Sequence, residues 1–238
     1  LRHEPVDNYY VTEDDVKAIL KKRSKFSHKG HYGDALLIAG GLGKWGAAHL
    51  AAKACLRAGV GSVTTHTPKH GAGYLQIAVP ENMVSLDEND EYFSSLPRFE
   101  DCSAIGVGPG IGRQNITGEA LRQLLETAQK PMVIDADALH ILAENKEWME
   151  LIPAHSILTP HPIELDRLTA PKKSVYSRIN AQAQLAKKYN IFVLQKGANS
   201  AIANPEGVIF FNSTGNPGLA TNGTGDVLTG IILGLLAQ

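Results

Sequence analysis

The sequence predicts one α/β domain built in three layers, in which helices cover both faces of a mostly parallel central sheet. Short apolar runs alternate with segments of helical periodicity along the chain, and repeated strand–helix units of this kind are typical of parallel sheets. The length of 238 residues suits one large domain with a substantial hydrophobic core.

The individual elements follow from the period of the apolar residues. The predicted strands cover residues 35–39, 62–65, 104–107, 132–135, 156–159 and 191–194, followed by a hairpin of 200–203 and 208–211. The predicted helices cover residues 46–58, 121–128, 178–189 and 226–237. Thr12 is a good cap for a further helix, so we expect an N-terminal helix and linker over 1–27 and the domain proper over 28–238. The last helix is still apolar at Gln238, which predicts a domain that is incomplete at its C-terminal end.

The composition argues against several functional classes. Lys and Arg number 23 against 24 Asp and Glu, so no basic surface for nucleic acid or an anionic membrane is expected. No apolar stretch approaches the roughly 20 residues of a membrane-spanning helix. The nine histidines do not cluster with metal-ligand spacing, so no metal held by protein side chains is predicted. Two isolated cysteines, Cys55 and Cys102, are typical of a reducing compartment, and we expect a cytoplasmic protein with Cys55 buried as a small apolar residue.

The first of three glycine-rich loops, residues 41–46, matches the GxGxxG fingerprint of dinucleotide-binding proteins. That fingerprint also requires an acid about 20 residues later to bind the ribose, and residues 62–67 contain none. A phosphate-binding Walker A loop is excluded as well, because Trp45 stands where Ser or Thr is needed. A Rossmann dehydrogenase is therefore not favoured.

The second glycine-rich loop, Gly108–Gly112, follows a predicted strand. It is equally well explained as a tight turn that needs glycine dihedrals and as a place where a ligand approaches the backbone at the carboxyl edge of the sheet.

The third loop, Asn222–Gly225, precedes a long apolar helix. The backbone amides of Gly223, Thr224 and Gly225 can converge on an anion at the helix N-terminus, and Asp226 then lies in the first turn beside that anion. The alternative is that Asp226 only caps its helix. We favour the anion site, because a cap does not require two glycines before it.

Gly223–Thr224–Gly225–Asp226 before an apolar helix resembles the anion-hole motif of the ribokinase-like superfamily, in which the Asp activates a hydroxyl and the amides stabilise the transferring phosphoryl group. Further segments occur in the order seen in NAD(P)H-hydrate dehydratases, and the resemblance runs from about His28 to the end of the chain. These segments are His28–Gly33, Gly46–Ala48, Gly108–Gly112, Asp135–Leu139, Leu158–Pro162, Lys196–Gly197 and Gly215–Gly218.

The resemblance implies a ribokinase-like fold and a dehydratase that uses ADP or ATP, with Mg²⁺, to restore NADH and NADPH from their hydrates NADHX and NADPHX through a phosphorylated intermediate. The residues expected to line the hydrate site are Ala47, Gly110, His161 and Asp226. The residues expected to hold the adenine nucleotide are Lys196, Gly197, Ala198, Asn199, Ser200 and Gly225. A fused NAD(P)H-hydrate epimerase, joined through residues 2–8, and a homo-oligomer are compatible with the family.

Three residues depart from the family pattern beside these positions: Asn222, Ile163 and His140 stand where Gly, Gly and Asn are usual. Two alternative functions stay open. One is a small-molecule kinase of the same superfamily, and the other is a non-catalytic nucleotide-binding domain.

Four of the polar residues also have simple structural interpretations. His161 between two prolines could be an exposed loop histidine, and Lys196 could be a solvated charge. Asp135 and Asp137 resemble paired acids for a metal, but we favour a structural role in which Asp137 caps the following helix.

Overall fold

The computed structural model describes residues 8–238, and these residues form a ten-stranded sheet with helices on both faces. The strands are β1 (Asn8–Val11), β2 (Asp34–Ile38), β3 (Ser62–Thr67), β4 (Met83–Leu86), β5 (Ala104–Val107), β6 (Met132–Ile134), β7 (Ile157–Leu158), β8 (Phe192–Gln195), β9 (Ala201–Ala203) and β10 (Ile209–Asn212). Their order in the sheet is β1-β10-β9-β8-β7-β6-β5-β2-β3-β4. Only β9 runs antiparallel to its neighbours among the described strands, so the predicted hairpin and the mostly parallel sheet are confirmed.

The helices are α1 (Glu13–Ile19), α2 (Trp45–Arg57), α3 (Lys69–Ala78), α4 (Asn115–Thr127), α5 (Ala136–Glu144), α6 (Pro162–Leu168), α7 (Val175–Tyr189) and α8 (Thr224–Ala237). Successive side chains of a strand point to opposite faces, so Leu36 and Ile38 belong to one core and Ala35 and Leu37 to the other. Helices α4 to α7 cover the first core, and α2, α3 and α8 cover the second. The predicted three-layer α/β/α arrangement is therefore confirmed.

The N-terminal segment contributes a strand that the sequence did not predict. Strand β1 pairs in parallel with β10 at one edge of the sheet, and Tyr9 stacks on Phe210 with ring centroids 5.6 Å apart. The predicted helix follows as α1, with the expected cap in which Thr12 and Asp15 exchange hydrogen bonds. The expected linker over 2–8 lies outside the described residues except for Asn8, which begins β1.

Some helices differ from the prediction because residues of low helix propensity interrupt their apolar pattern. Helix α4 begins at Asn115 rather than at residue 121, since its first turns contain Thr117 and Gly118, which are poor helix formers. Helix α3 was not predicted at all, because Gly71 and Gly73 interrupt its apolar pattern.

Cys55 lies in α2 with a fully buried side chain, as predicted, and burial raises the pKa of its thiol to about 12. Within residues 8–238, none of the helices combines the length and the apolar character needed to cross a membrane.

Candidate active site

The segments singled out in the sequence meet at the carboxyl edge of the sheet. The loops that follow β2, β5, β6, β7 and β8 leave adjacent parallel strands, and such loops form the usual ligand crevice of open α/β sheets. The N-terminus of α8 belongs to the same region, because a Cβ on Gly225 in its first turn would lie 3.7 Å from Lys196 Nζ and 3.8 Å from Asp135 Oδ2.

The third glycine-rich loop has the geometry of an anion-binding helix N-terminus. Gly223 is the N-cap residue of α8 in the left-handed conformation, with φ of 89°, and such a φ favours glycine. The amides of Gly223, Thr224 and Gly225 meet no protein acceptor within residues 8–238. Asp226 is the third residue of α8, and its side chain makes no capping hydrogen bond. The interpretation of Asp226 as a simple cap is therefore wrong.

The Asp226 carboxyl has an altered acidity. Burial raises its pKa to about 6; the nearby carboxylates of Asp135 and Asp137 act in the same direction, and the Lys196 ammonium opposes them. A carboxyl group with such a pKa is half ionised near pH 6 and mostly ionised at pH 7, so it can take up a proton from a substrate and release it again.

The two acids after β6 are engaged by lysines from other parts of the chain. Asp135 Oδ1 lies 2.8 Å from the Nζ atom of Lys196, and Asp137 Oδ2 lies 2.8 Å from the Nζ atom of Lys44. The prediction that Asp137 is the N-cap was wrong. The N-cap residue is Asp135, so helix α5 begins two residues earlier than predicted, at Ala136, whose φ of 49° turns the chain directly after Asp135. The residues from 8 to 238 contain no group of three acidic, His or Cys side chains that could hold a metal ion.

Lys44 was not predicted as a site residue, although it links the first two glycine-rich loops. Asp137 Oδ2, which binds the Lys44 ammonium, also accepts the amide of Gly112 at 2.9 Å. A Cβ on Gly110 would lie 3.0 Å from the Cβ of Lys44 and 3.2 Å from that of Ala47. Gly110 and Ala47, both predicted to line the hydrate site, are thus brought together, and the residue at 110 must be small.

His161 is the N-cap residue of α6 and not a free loop histidine. Its Nδ1 atom accepts the amides of Ile163 at 3.1 Å and Glu164 at 3.3 Å. Since Nδ1 is an acceptor, the proton of the neutral ring is on Nε2. The Nε2 atom lies 3.4 Å from Glu164 Oε1, and 43% of the His161 side chain is exposed. His161 therefore presents a fixed N–H donor.

The unusual residue His140 belongs to the same cluster. Its Nδ1 atom accepts from Arg167 at 2.8 Å, and its Nε2 atom lies 3.6 Å from the buried carboxylate of Glu164. Burial lowers the pKa of His140; Glu164 opposes that effect, and the cations Arg113 and Arg167 reinforce it. Glu164 was not predicted as a site residue, although its position three residues after His161 fits the spacing of a capping box.

The predicted nucleotide segment, residues 196–200, lies at the surface directly after β8. The amide of Lys196 donates to the carbonyl of Pro160 at 2.9 Å, which places this segment beside His161. A Cβ on Gly197 would meet nothing within 4 Å, whereas one on Gly215 would lie 2.0 Å from the Ala198 carbonyl oxygen. The loop before α8 therefore packs on this segment and leaves the Gly197 side open.

A cavity of about 430 Å³ lies elsewhere, between the end of α2 and the segment before β4. Its lining includes Lys53, Arg57 and Glu81. It lies at the opposite edge of the sheet and contains none of the predicted site residues, so volume alone does not mark the site.

Comparison with known proteins identifies the family. A family model described as NAD(P)H-hydrate dehydratase matches residues 35–238. The chain belongs to the NAD(P)H-hydrate dehydratase family. The resemblance found in the motifs of the sequence is thereby confirmed.

Relatives and solved structures agree with this assignment. A bifunctional NAD(P)H-hydrate repair enzyme of Moorella thermoacetica is 40% identical over 229 residues, which cover 92% of this chain and 43% of the relative. The chain therefore spans less than half the length of that relative. The ADP/ATP-dependent NAD(P)H-hydrate dehydratase of Bacillus subtilis, co-crystallized with ATP/Mg²⁺, is 33% identical with a TM-score of 0.81, over 96% of this chain and 81% of that one.

The fold assignment rests on a further structure. A ribokinase-like superfamily protein of Enterococcus faecalis is 28% identical with a TM-score of 0.83, covering 99% of this chain and 83% of that chain. The predicted ribokinase-like fold is confirmed.

Proposed function

We propose that this member of the family dehydrates NADHX and NADPHX to NADH and NADPH at the expense of ADP or ATP. The observation that carries the proposal is the Asp226 carboxyl at the N-terminus of α8. It makes no capping hydrogen bond, has a pKa of about 6 and directly follows the three amides of the glycine-rich loop. In a family of hydrate dehydratases, this arrangement fits a base that removes the proton of a substrate hydroxyl.

The chain supplies two kinds of group for such a reaction. The ionised Asp226 takes the hydroxyl proton, a role worth about 10²–10⁴ in rate. The amides of Gly223, Thr224 and Gly225 stabilise negative charge that develops beside them, and such donors contribute about 2.7–4 kcal/mol each in other enzymes. A bound nucleotide would supply the phosphoryl group that turns the hydroxyl into a leaving group.

The hydrated nicotinamide would lie between α2, the second glycine-rich loop and His161. A Cβ on Gly110 would lie 3.2 Å from the Cβ of Ala47, so a larger residue at 110 would crowd α2. The Nε2–H group of His161 donates to a substrate oxygen, because the cap of α6 occupies its Nδ1 atom. Lys44 and Asp137 hold the walls of this part of the site together.

The adenine nucleotide would lie along residues 196–200 with its phosphates toward Lys196 and Gly225. The open space beside Gly197 fits close approach of a ligand to the backbone. Both oxygens of Asp135 already have partners, so Mg²⁺ fits as an ion carried by the nucleotide phosphates rather than one held by the protein. Neutralising that phosphate charge is the chemistry that Mg²⁺ would supply.

The test is a single incubation of the protein with NADPHX and either ADP or ATP. A dehydratase yields inorganic phosphate together with the absorbance of reduced nicotinamide. A kinase yields a stable phosphate ester without that absorbance, and a non-catalytic domain yields neither product. The two nucleotides are compared in parallel, and Asp226→Asn is the control for turnover.

We also propose that an NAD(P)H-hydrate epimerase acts together with this chain. The proposal is supported by the bifunctional relative, of which the chain covers 43%. The reading frame that encodes the chain tests it. The expected cytoplasmic location and a homo-oligomer stay predictions.

A further inference from the structure

Asp135 is a buried carboxylate that joins elements distant in the sequence. Its side chain is 2% exposed. The Oδ1 atom binds the Lys196 ammonium at 2.8 Å, and the Oδ2 atom accepts the hydroxyl of Thr229 at 2.7 Å. A carboxylate with this much of its surface removed from water needs such partners, and these come from the end of β8 and from α8.

Thr229 fixes the carboxylate beside the first turn of α8. Its side chain is fully buried, and its hydroxyl also lies 3.2 Å from the carbonyl oxygen of Gly225. A Cβ on Gly225 would lie 3.7 Å from Lys196 Nζ and 3.8 Å from Asp135 Oδ2. The ion pair therefore directly adjoins the amides that precede Asp226.

The backbone next to Asp135 is strained. Ala136 has a φ of 49°, a conformation that is unfavourable for residues with a Cβ. Strain of this kind is concentrated at functional sites, where the surrounding structure maintains it.

We propose that Asp135 is a positioning residue, which holds the Lys196 ammonium beside the first turn of α8 and is itself anchored by Thr229. The proposal rests on the proposed function in that Lys196 is taken to face the nucleotide phosphates. A lysine side chain has a flexible four-carbon stem, so without a partner its ammonium spreads over many positions. The ion pair restricts it to the position where the phosphates bind.

A role in stability alone gives different expectations. If Asp135 only ties β6 to α8, its replacement lowers the free energy of unfolding and leaves the nucleotide affinity of the folded protein unchanged. The two roles are separated by measurements on folded variants.

The first measurement is the affinity for ADP, determined by calorimetry on the full chain. We expect Asp135→Asn to weaken ADP binding about tenfold or more, as loss of a charge-assisted hydrogen bond does. Thr229→Val keeps the Asp135 charge but removes the hydroxyl that anchors it, so it should weaken ADP binding less than Asp135→Asn does. Thr229→Ser keeps the hydroxyl and should bind ADP as tightly as the wild type. The matched control is Thr117→Val, because Thr117 is also a buried helical threonine but its hydroxyl has no partner within the described residues.

The second measurement needs no nucleotide. In nitrogen-15 spectra, an ammonium held in an ion pair exchanges its protons slowly and gives a signal that a solvated lysine does not. We expect a Lys196 signal in the wild type, in Thr229→Ser and in Thr117→Val, and its loss in Asp135→Asn. If Asp135→Asn does not fold, the weakening of this signal in Thr229→Val decides.

The outcomes separate the two proposals. Unchanged ADP affinity and an unchanged Lys196 signal in the Asp135 and Thr229 variants would overturn the positioning role. A wild type that shows the Lys196 signal but binds neither ADP nor ATP would instead overturn the proposed nucleotide dependence. The Lys196 signal in Asp135→Asn would then still decide whether Asp135 positions the ammonium.

Discussion

Gly230 of α8 faces the carbonyl oxygen of Ala51 of α2 so closely that a Cβ on Gly230 would lie 2.1 Å from that oxygen. One turn later, Gly234 meets the carbonyl oxygen of Cys55 in the same way, at 2.6 Å. These two glycines determine how near α8 can approach α2. Helix α2 carries Ala47 in its first turn, and α8 begins with the amides that precede Asp226. The contact therefore connects the two sides of the site.

Gly230→Ala should destabilise the protein by about 1–3 kcal/mol or more, because an added methyl group overpacks a contact between two backbones. Gly73→Ala is the matched control, since Gly73 is also helical and a Cβ there would meet nothing within 4 Å. That control should be stabilised by about 0.5–1 kcal/mol. Urea unfolding measures both changes, and equal effects would contradict the close-packing argument.

Asp226→Asn should reduce turnover by about 10²–10⁴, because the amide cannot take the hydroxyl proton. ADP affinity should change little, since the amides of the loop remain. The rate of reduced-nicotinamide formation and calorimetry with ADP measure the two effects. Retention of more than about a tenth of the wild-type rate would rule out Asp226 as the base.

The same substitution should stabilise the fold in a manner that depends on pH. The pKa of Asp226 is about 6 in the folded protein and about 3.9 in an unfolded chain. The folded state thus binds more protons between these values, and stability is lost as the pH rises through them. Asn removes this loss, so Asp226→Asn should gain at most about 3 kcal/mol at pH 8 and nothing at pH 3. Unfolding curves at both pH values test this, and an equal gain at both would contradict the raised pKa.

The two roles of His161 should separate in two variants. His161→Ala loses the cap of α6 and should cost about 0.5–2 kcal/mol of stability. His161→Asn restores the cap, because Asn is a favourable N-cap residue, but it does not restore the Nε2–H donor. Thermal unfolding should therefore recover in the Asn variant while the KM for NADPHX stays raised. Recovery of both would show that His161 acts only as a cap.

Gly110→Ala should impair substrate binding more than its backbone strain alone explains. Its φ is 70°, and the added Cβ would lie 3.0 Å from the carbonyl oxygen of Lys44. Gly43→Ala is the matched control, with a φ of 75° and nothing within 4 Å of the added atom. We expect similar strain in the two variants and a raised KM for NADPHX in Gly110→Ala. Steady-state kinetics distinguish the variants, and equal KM values would argue against a hydrate site at Gly110.

The sequence by itself determined the local features. Apolar periods identified most strands and helices, and the two glycines before Asp226 indicated an anion site, because such patterns depend only on neighbouring residues. Where glycines interrupted the pattern, as in α3, the helix was missed. The ordered motifs also indicated the family, which the family model over residues 35–238 confirms.

Only the tertiary structure decided which polar groups meet. Asp135 and Lys196 are 61 residues apart, and Lys44 and Asp137 are 93 apart. The parallel sheet brings the ends of their strands to one edge, and no local pattern encodes such pairs. The same is true of the acidity of Asp226, which depends on burial and on charged residues that follow β6 and β8.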